Sequence, residues 1–76
     1  MNQLLGKKVV VRELFFGRAV RDKQPAEVAW KGVLREISGH MICLDVQELI
    51  DPGYSYPHAR TRWFNTMAST FIAIDA

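Results

Sequence analysis

Short apolar runs recur along this chain, several of them alternating with polar positions, and none carries the 3.6-residue period of a long helix. Lys7 to Phe16 is rich in valine and phenylalanine, residues that suit a pleated, half-buried surface, and it predicts a first strand that Gly17 ends. Gly17 to Pro25 is polar, with Arg18, Arg21, Asp22 and Lys23 charged, and predicts a long solvated loop. Ala26 to Ser38 predicts a second, longer strand. Gly32 lies inside it, and a strand glycine marks a bend or a close backbone approach. Ser38-Gly39 is a hairpin turn signal. His40 to Gln47 predicts a third strand, with Met41, Cys43 and Asp45 on one face and Ile42, Leu44 and Val46 on the other.

Glu48 to Ala59 holds Asp51-Pro52-Gly53 and Pro57 and predicts a second long loop, with room for a helical turn around Gln47 to Ile50. Arg60 to Asn65 and Thr70 to Asp75 predict the fourth and fifth strands, separated by a break at Thr66 to Ser69. A helix over Asn2 to Leu5 has room for one turn at most. The pattern therefore predicts an all-β chain, a small five-stranded, strongly bent barrel with long loops after strands 1 and 3. Closure would remove exposed sheet edges. A split α+β fold with a helix in the second loop is the rival.

Seventy-six residues make one domain, with no internal repeat or linker. A chain this short buries only about 60% of its unfolded surface, so its core is thin and self-assembly is a common remedy. The one cysteine, Cys43, excludes an intrachain disulfide and reads as a small buried hydrophobe in a reducing, cytoplasmic setting. No run reaches transmembrane length.

The net charge of +2 hides an uneven distribution. Met1 to Arg35 balances at +5, Glu36 to Ala59 at −4, and the remainder at +1. A basic half and an acidic segment on opposite faces would suit an anionic partner or head-to-tail self-association. An ordinary solvated surface is the plain alternative.

Gly32, Leu34, Ile37, His40, Met41, Leu44 and Asp45 fall at places that match the first motif of the Sm-like family, which includes the bacterial Hfq-type RNA chaperones. Leu5-Gly6-Lys7-Lys8-Val9-Val10-Val11 is similar to that family's first strand. Asn65-Thr66-Met67-Ala68-Ser69-Thr70-Phe71-Ile72 resembles its second motif more loosely. The resemblance covers the five strands, as for a divergent member, and leaves out both long loops and the N-terminal helix. It implies a ring built by pairing the fourth strand of one subunit with the fifth of the next, and RNA binding without catalysis. The family's uracil-reading Asp and Asn are replaced here by Ser38 and Ile42, and its basic second-motif residue by Asn65-Thr66-Met67.

His40 and Met41 at the turn are candidates for base or phosphate contact, or a polar turn residue and a core plug. Tyr54, Tyr56, His58, Arg60, Arg62 and Trp63 form the densest aromatic and basic cluster, and Asn65 adjoins it. Rings and guanidinium groups suit single-stranded nucleic acid, where bases stack and arginine neutralises phosphate. The same residue types are enriched at protein interfaces. In the third reading Trp63 and Phe64 straddle the sheet and only the tyrosines lie outside. Arg12, Arg18, Arg21, Lys23, Lys31 and Arg35 could form a basic strip.

His40 and Cys43, three apart on a strand, point to opposite faces, so with His58 they make a poor metal set. No phosphate loop, nucleophile elbow or paired carboxylates are present, so neither an enzyme nor a cofactor is expected. Two functions remain: an RNA-binding or anion-binding ring of Sm-like barrels, and a protein-interaction module using residues 54–63.

Overall fold

Five antiparallel strands build one sheet: β1 Lys8–Phe15, β2 Ala26–Ser38, β3 Met41–Asp51, β4 Tyr54–Asn65 and β5 Phe71–Asp75. A single 3-10 turn, Asn2–Leu4, precedes them. The computed structural model describes residues 1–15, 26–51 and 54–76, with the side chains of all of these but Tyr54 and Tyr56. The spatial order is β4-β3-β2-β1-β5, so β4 and β5 are the two edges and no ladder joins them within the chain. The expected all-β class is what the chain adopts. No helix among the described residues is long and apolar enough to cross a membrane.

Alternation explains the core. Val9 and Val11 on β1, Val28, Trp30 and Leu34 on β2, Ile42, Leu44 and Val46 on β3, and Phe64 on β4 form one buried cluster. Each lies on the inward face of its strand, as the period of two requires. Three β-bulges then invert the alternation; the one on β5 has Ile72 as the extra residue, so Phe71 and Ile74, three apart, both pack on the core. Arg35 is the extra residue between the pairs Leu34↔Leu44 and Glu36↔Cys43, so Ile37, three beyond Leu34, also packs on the core. Gln47 is the extra residue between Val46 and Glu48 in the ladder with β2, and the ladder with β4 shifts at the same place. Leu49, three beyond Val46, accordingly faces inward.

The Gln47 bulge accounts for the main departure from the sequence expectation. The alternation fails there, which reads as the end of a strand. The strand instead continues through the bulge to Asp51, and β4 begins at Tyr54. Strand therefore occupies most of the loop expected over 48–59 and all of the helical turn expected around Gln47 to Ile50. The loop expected over 17–25 lies outside the described residues.

Gly32 behaves as its position in β2 foretells. A Cβ built there would lie 2.2 Å from the Asp45 carbonyl oxygen and 2.8 Å from Val46 Cα. Only a residue without a side chain permits this approach, and the β2–β3 register shifts beside it. Gly39 makes the hairpin turn with φ of 60°, the sign that a type II′ turn requires at its first central residue.

Candidate functional site

At one end of the sheet the β2–β3 turn meets the β4–β5 turn. The Thr66 backbone N–H and Oγ1 both donate to the His40 carbonyl oxygen, at 2.9 Å and 2.8 Å. Asn65 pairs with Met41 across the ladder, and its Oδ1 accepts the Met67 N–H at 2.9 Å. That bond is a local Asx-type turn, and it uses the side-chain acceptor that a base would otherwise meet. The His40 side chain is exposed and Met41 is half-buried. Met67 is 69% exposed and Trp63, two residues before Asn65, is 44% exposed. The structure thus brings His40, Met41, Trp63 and Asn65 to one rim. Ile42, at the place of a base-reading Asn in the resembled family, is core and offers a ligand nothing.

The aromatic and basic cluster of β4 divides between the two faces. Trp63 lies opposite Cys43 on the outer face, beside Thr61, whose hydroxyl donates to Asp45 at 3.2 Å. Phe64 is buried, so the pair straddles the sheet. Arg62 turns inward. Its Nη2 donates to Glu13 Oε1 at 2.8 Å, and its guanidinium lies 4.3 Å from the Trp30 ring centroid and 4.9 Å from that of Phe64. Trp30 Nε1 donates to the same Glu13 oxygen at 2.9 Å, and the His58 ring meets Trp30 edge-on at 5.4 Å. His58 and Arg62 are thus held in an internal network with a buried carboxylate. Arg60 is exposed and forms no ion pair among the described residues. The side chains of Tyr54 and Tyr56 lie outside the described set.

The basic strip is largely neutralised where it is described. Arg12 reaches Asp75 at 3.2 Å and Glu27 at 3.9 Å, Lys31 reaches Glu48 at 3.7 Å, and Arg35 reaches Asp45 at 3.4 Å. Arg18, Arg21 and Lys23 fall outside the described residues. Among the described residues the segregation of charge along the sequence therefore does not produce opposite faces. Antiparallel pairing lays the acids of β3 beside the bases of β2, and the two sets meet side by side. Such exposed pairs contribute about 0–1 kcal/mol each; their main effect is to reduce the positive field.

Cys43 is buried beneath this outer face. Loss of solvent raises its thiol pKa; Arg35 opposes that shift, while Asp45 and Glu36 add to it. Among the described residues no group of three His, Cys, Asp or Glu converges as a metal site would.

Two residues of consequence escaped the sequence reading, Glu13 and Thr66. Glu13 had a signal. It continues the inward parity of Val9 and Val11, so a lone acid in that register foretells a buried, partnered carboxylate. Thr66 had none, since its role depends on two turns distant in sequence meeting in space. Comparisons with protein-family models, curated proteins and solved structures gave no match.

Proposed function

We propose that this chain is a non-enzymatic Sm-like barrel module. It self-assembles head to tail into a ring and offers the rim of that ring to single-stranded RNA or another anionic partner. The observation that carries the reading is the strand order: β4 and β5 are the two free edges of the sheet. A heterologous contact between unlike edges closes into a ring when its rotation allows. Pairing them would also satisfy edge backbone groups that a lone chain leaves to solvent. Trp63 on β4 and Ile72 on β5, 44% and 39% exposed, add apolar surface beside those edges.

The meeting of the two turns supports the rim as the contact surface, with Trp63 for stacking and Arg60 as an uncommitted cation. Arg62 is left out of this surface because Glu13 and the two rings occupy it. The exposed Trp63 and Met67, four residues apart at the end of β4, also favour a second reading, a protein-interaction surface without nucleic acid.

A salt titration of the full chain against single-stranded RNA separates the readings. Each phosphate neutralised contributes about −0.7 to the slope of log affinity against log salt. The RNA reading expects a measurable slope that becomes shallower in Arg60→Ala. Absence of binding at low salt, with Trp63→Ala abolishing capture of a defined protein partner, supports the interaction module instead.

A further inference from the structure

A groove of about 530 Å³ opens where the Gly32 approach and the Gln47 bulge coincide. That volume is within the range of small-molecule sites. Lys8, Val10, Lys31, Gln47 and Glu48 line it together with Ala76 and the Val9 and Gly32 backbone. The groove owes its shape to special backbone. The missing side chain at Gly32 draws β2 against Asp45, and the bulge displaces Gln47 from the regular ladder. Bulges often serve to re-aim a side chain beside a binding site.

Its two lysines are not locked in ion pairs. Lys8 has no ion pair among the described residues. Lys31 has only the 3.7 Å contact with Glu48, and both side chains remain well exposed, so an incoming anion can compete for it. Glu48 is held separately: Ser55 Oγ donates to its Oε2 at 2.7 Å. The carboxylate keeps its position if Lys31 moves to a ligand, and its Oε1 is then free to accept from the same ligand. Two ammonium groups and one fixed acceptor define a recognisable chemistry.

We propose that this groove binds a small organic anion, a phosphate monoester or carboxylate, that also carries an ammonium or hydroxyl donor. The anion sits between Lys8 and Lys31 and the donor meets Glu48. This goes beyond the assembly reading; the two lysines stand on β1 and β2, away from both edge strands, although Ser55 on β4 holds Glu48 and Ala76 after β5 also lines the groove.

The test is an amide-resolved NMR titration of the full chain with O-phosphoethanolamine, with inorganic phosphate in parallel. Binding in the millimolar range or tighter is expected, with shifts confined to Lys8–Val10, Lys31–Gly32, Gln47–Glu48 and Ala76. Lys8→Ala and Lys31→Ala should each weaken it by about tenfold, whereas Lys7→Ala should leave it unchanged. Glu48→Gln should abolish any preference for phosphoethanolamine over inorganic phosphate. The proposal is overturned if no shifts appear, if Lys7→Ala weakens binding as much as Lys8→Ala, or if single-stranded RNA shifts these amides and phosphoethanolamine does not. A thermal melt of each variant separates lost binding from lost folding.

Discussion

Arg62 on β4 donates to Glu13 on β1 at 2.8 Å, although β3 and β2 lie between the two strands. In a flat sheet those strands would stand about 14 Å apart. The contact, with Phe64 and Trp30 at 6.0 Å beneath it, shows that the sheet curls its inner face around the core. Glu13 is only 8% exposed and accepts from both Arg62 and Trp30. A buried carboxylate in this position is secure only while its donors remain.

Removing one member should therefore cost more than removing the pair. Arg62→Ala should destabilise the chain by about 1–3 kcal/mol, by leaving Glu13 with the Trp30 donor alone. Glu13→Gln keeps an acceptor for Trp30 and should cost less than Glu13→Ala. Arg62→Lys should recover little, because the ammonium cannot stack on two rings as a planar guanidinium does. Urea unfolding of these variants and of the double variant Glu13→Leu/Arg62→Met provides the check. A double variant no more stable than Glu13→Ala and Arg62→Ala alike contradicts this account.

Gly32→Ala should be among the most damaging single-methyl changes in the chain. The added carbon meets main chain, not a side chain that can swing away. A loss of at least about 2 kcal/mol, or failure to fold, is expected. Gly39→Ala is the control: no atom lies within 4 Å, so only the positive φ is penalised, at about 1 kcal/mol. Circular dichroism melts of the two variants suffice, and equal losses would contradict the assignment.

The strands themselves were legible in the chain, and β2 most fully, because Trp30, Gly32 and Leu34 alternate cleanly before the turn at Gly39. The bulges were not. Arg35 and Gln47 each invert the inward face partway along a strand, and a period-two reading takes the second inversion for an ending. The site was legible in part. The residues of β4 could be picked out, but whether Arg62 serves a partner or the fold depends on Glu13, 49 positions away. His40 and Asn65 are each legible alone, whereas their meeting rests on Thr66.

Cys43 sets a pH dependence. Burial holds its thiol pKa above the ordinary value, so the unfolded chain gives up that proton first as pH rises. Between the unfolded and folded values the folded state binds more protons, and stability falls with increasing pH. The contribution is complete below the ordinary thiol range, near pH 8.5, and is lost on passing through the raised value. The stability difference between the parent chain and Cys43→Ala should shrink from about pH 7 to about pH 10. Denaturant titrations at both pH values measure it, and a constant difference would remove Cys43 from the explanation.

Changes to the exposed edge residues should separate folding from assembly. Ile72→Lys places a charge on a partly exposed β5 side chain and should change monomer stability by no more than about 0.5 kcal/mol. The same charge on an edge opposes strand pairing between copies. Reduced oligomer mass with an intact circular dichroism spectrum is expected; loss of the spectrum itself would place Ile72 in the fold and not in the interface.

Light scattering on the purified chain tests the proposed assembly most directly. One chain weighs 8.7 kDa. Pairing of β4 with β5 between copies predicts a single species at an integer multiple of that mass, unchanged on dilution, as a closed ring requires. A mass of 8.7 kDa at every concentration would contradict the ring, and a mass that grows without limit would show that the two edges pair but do not close.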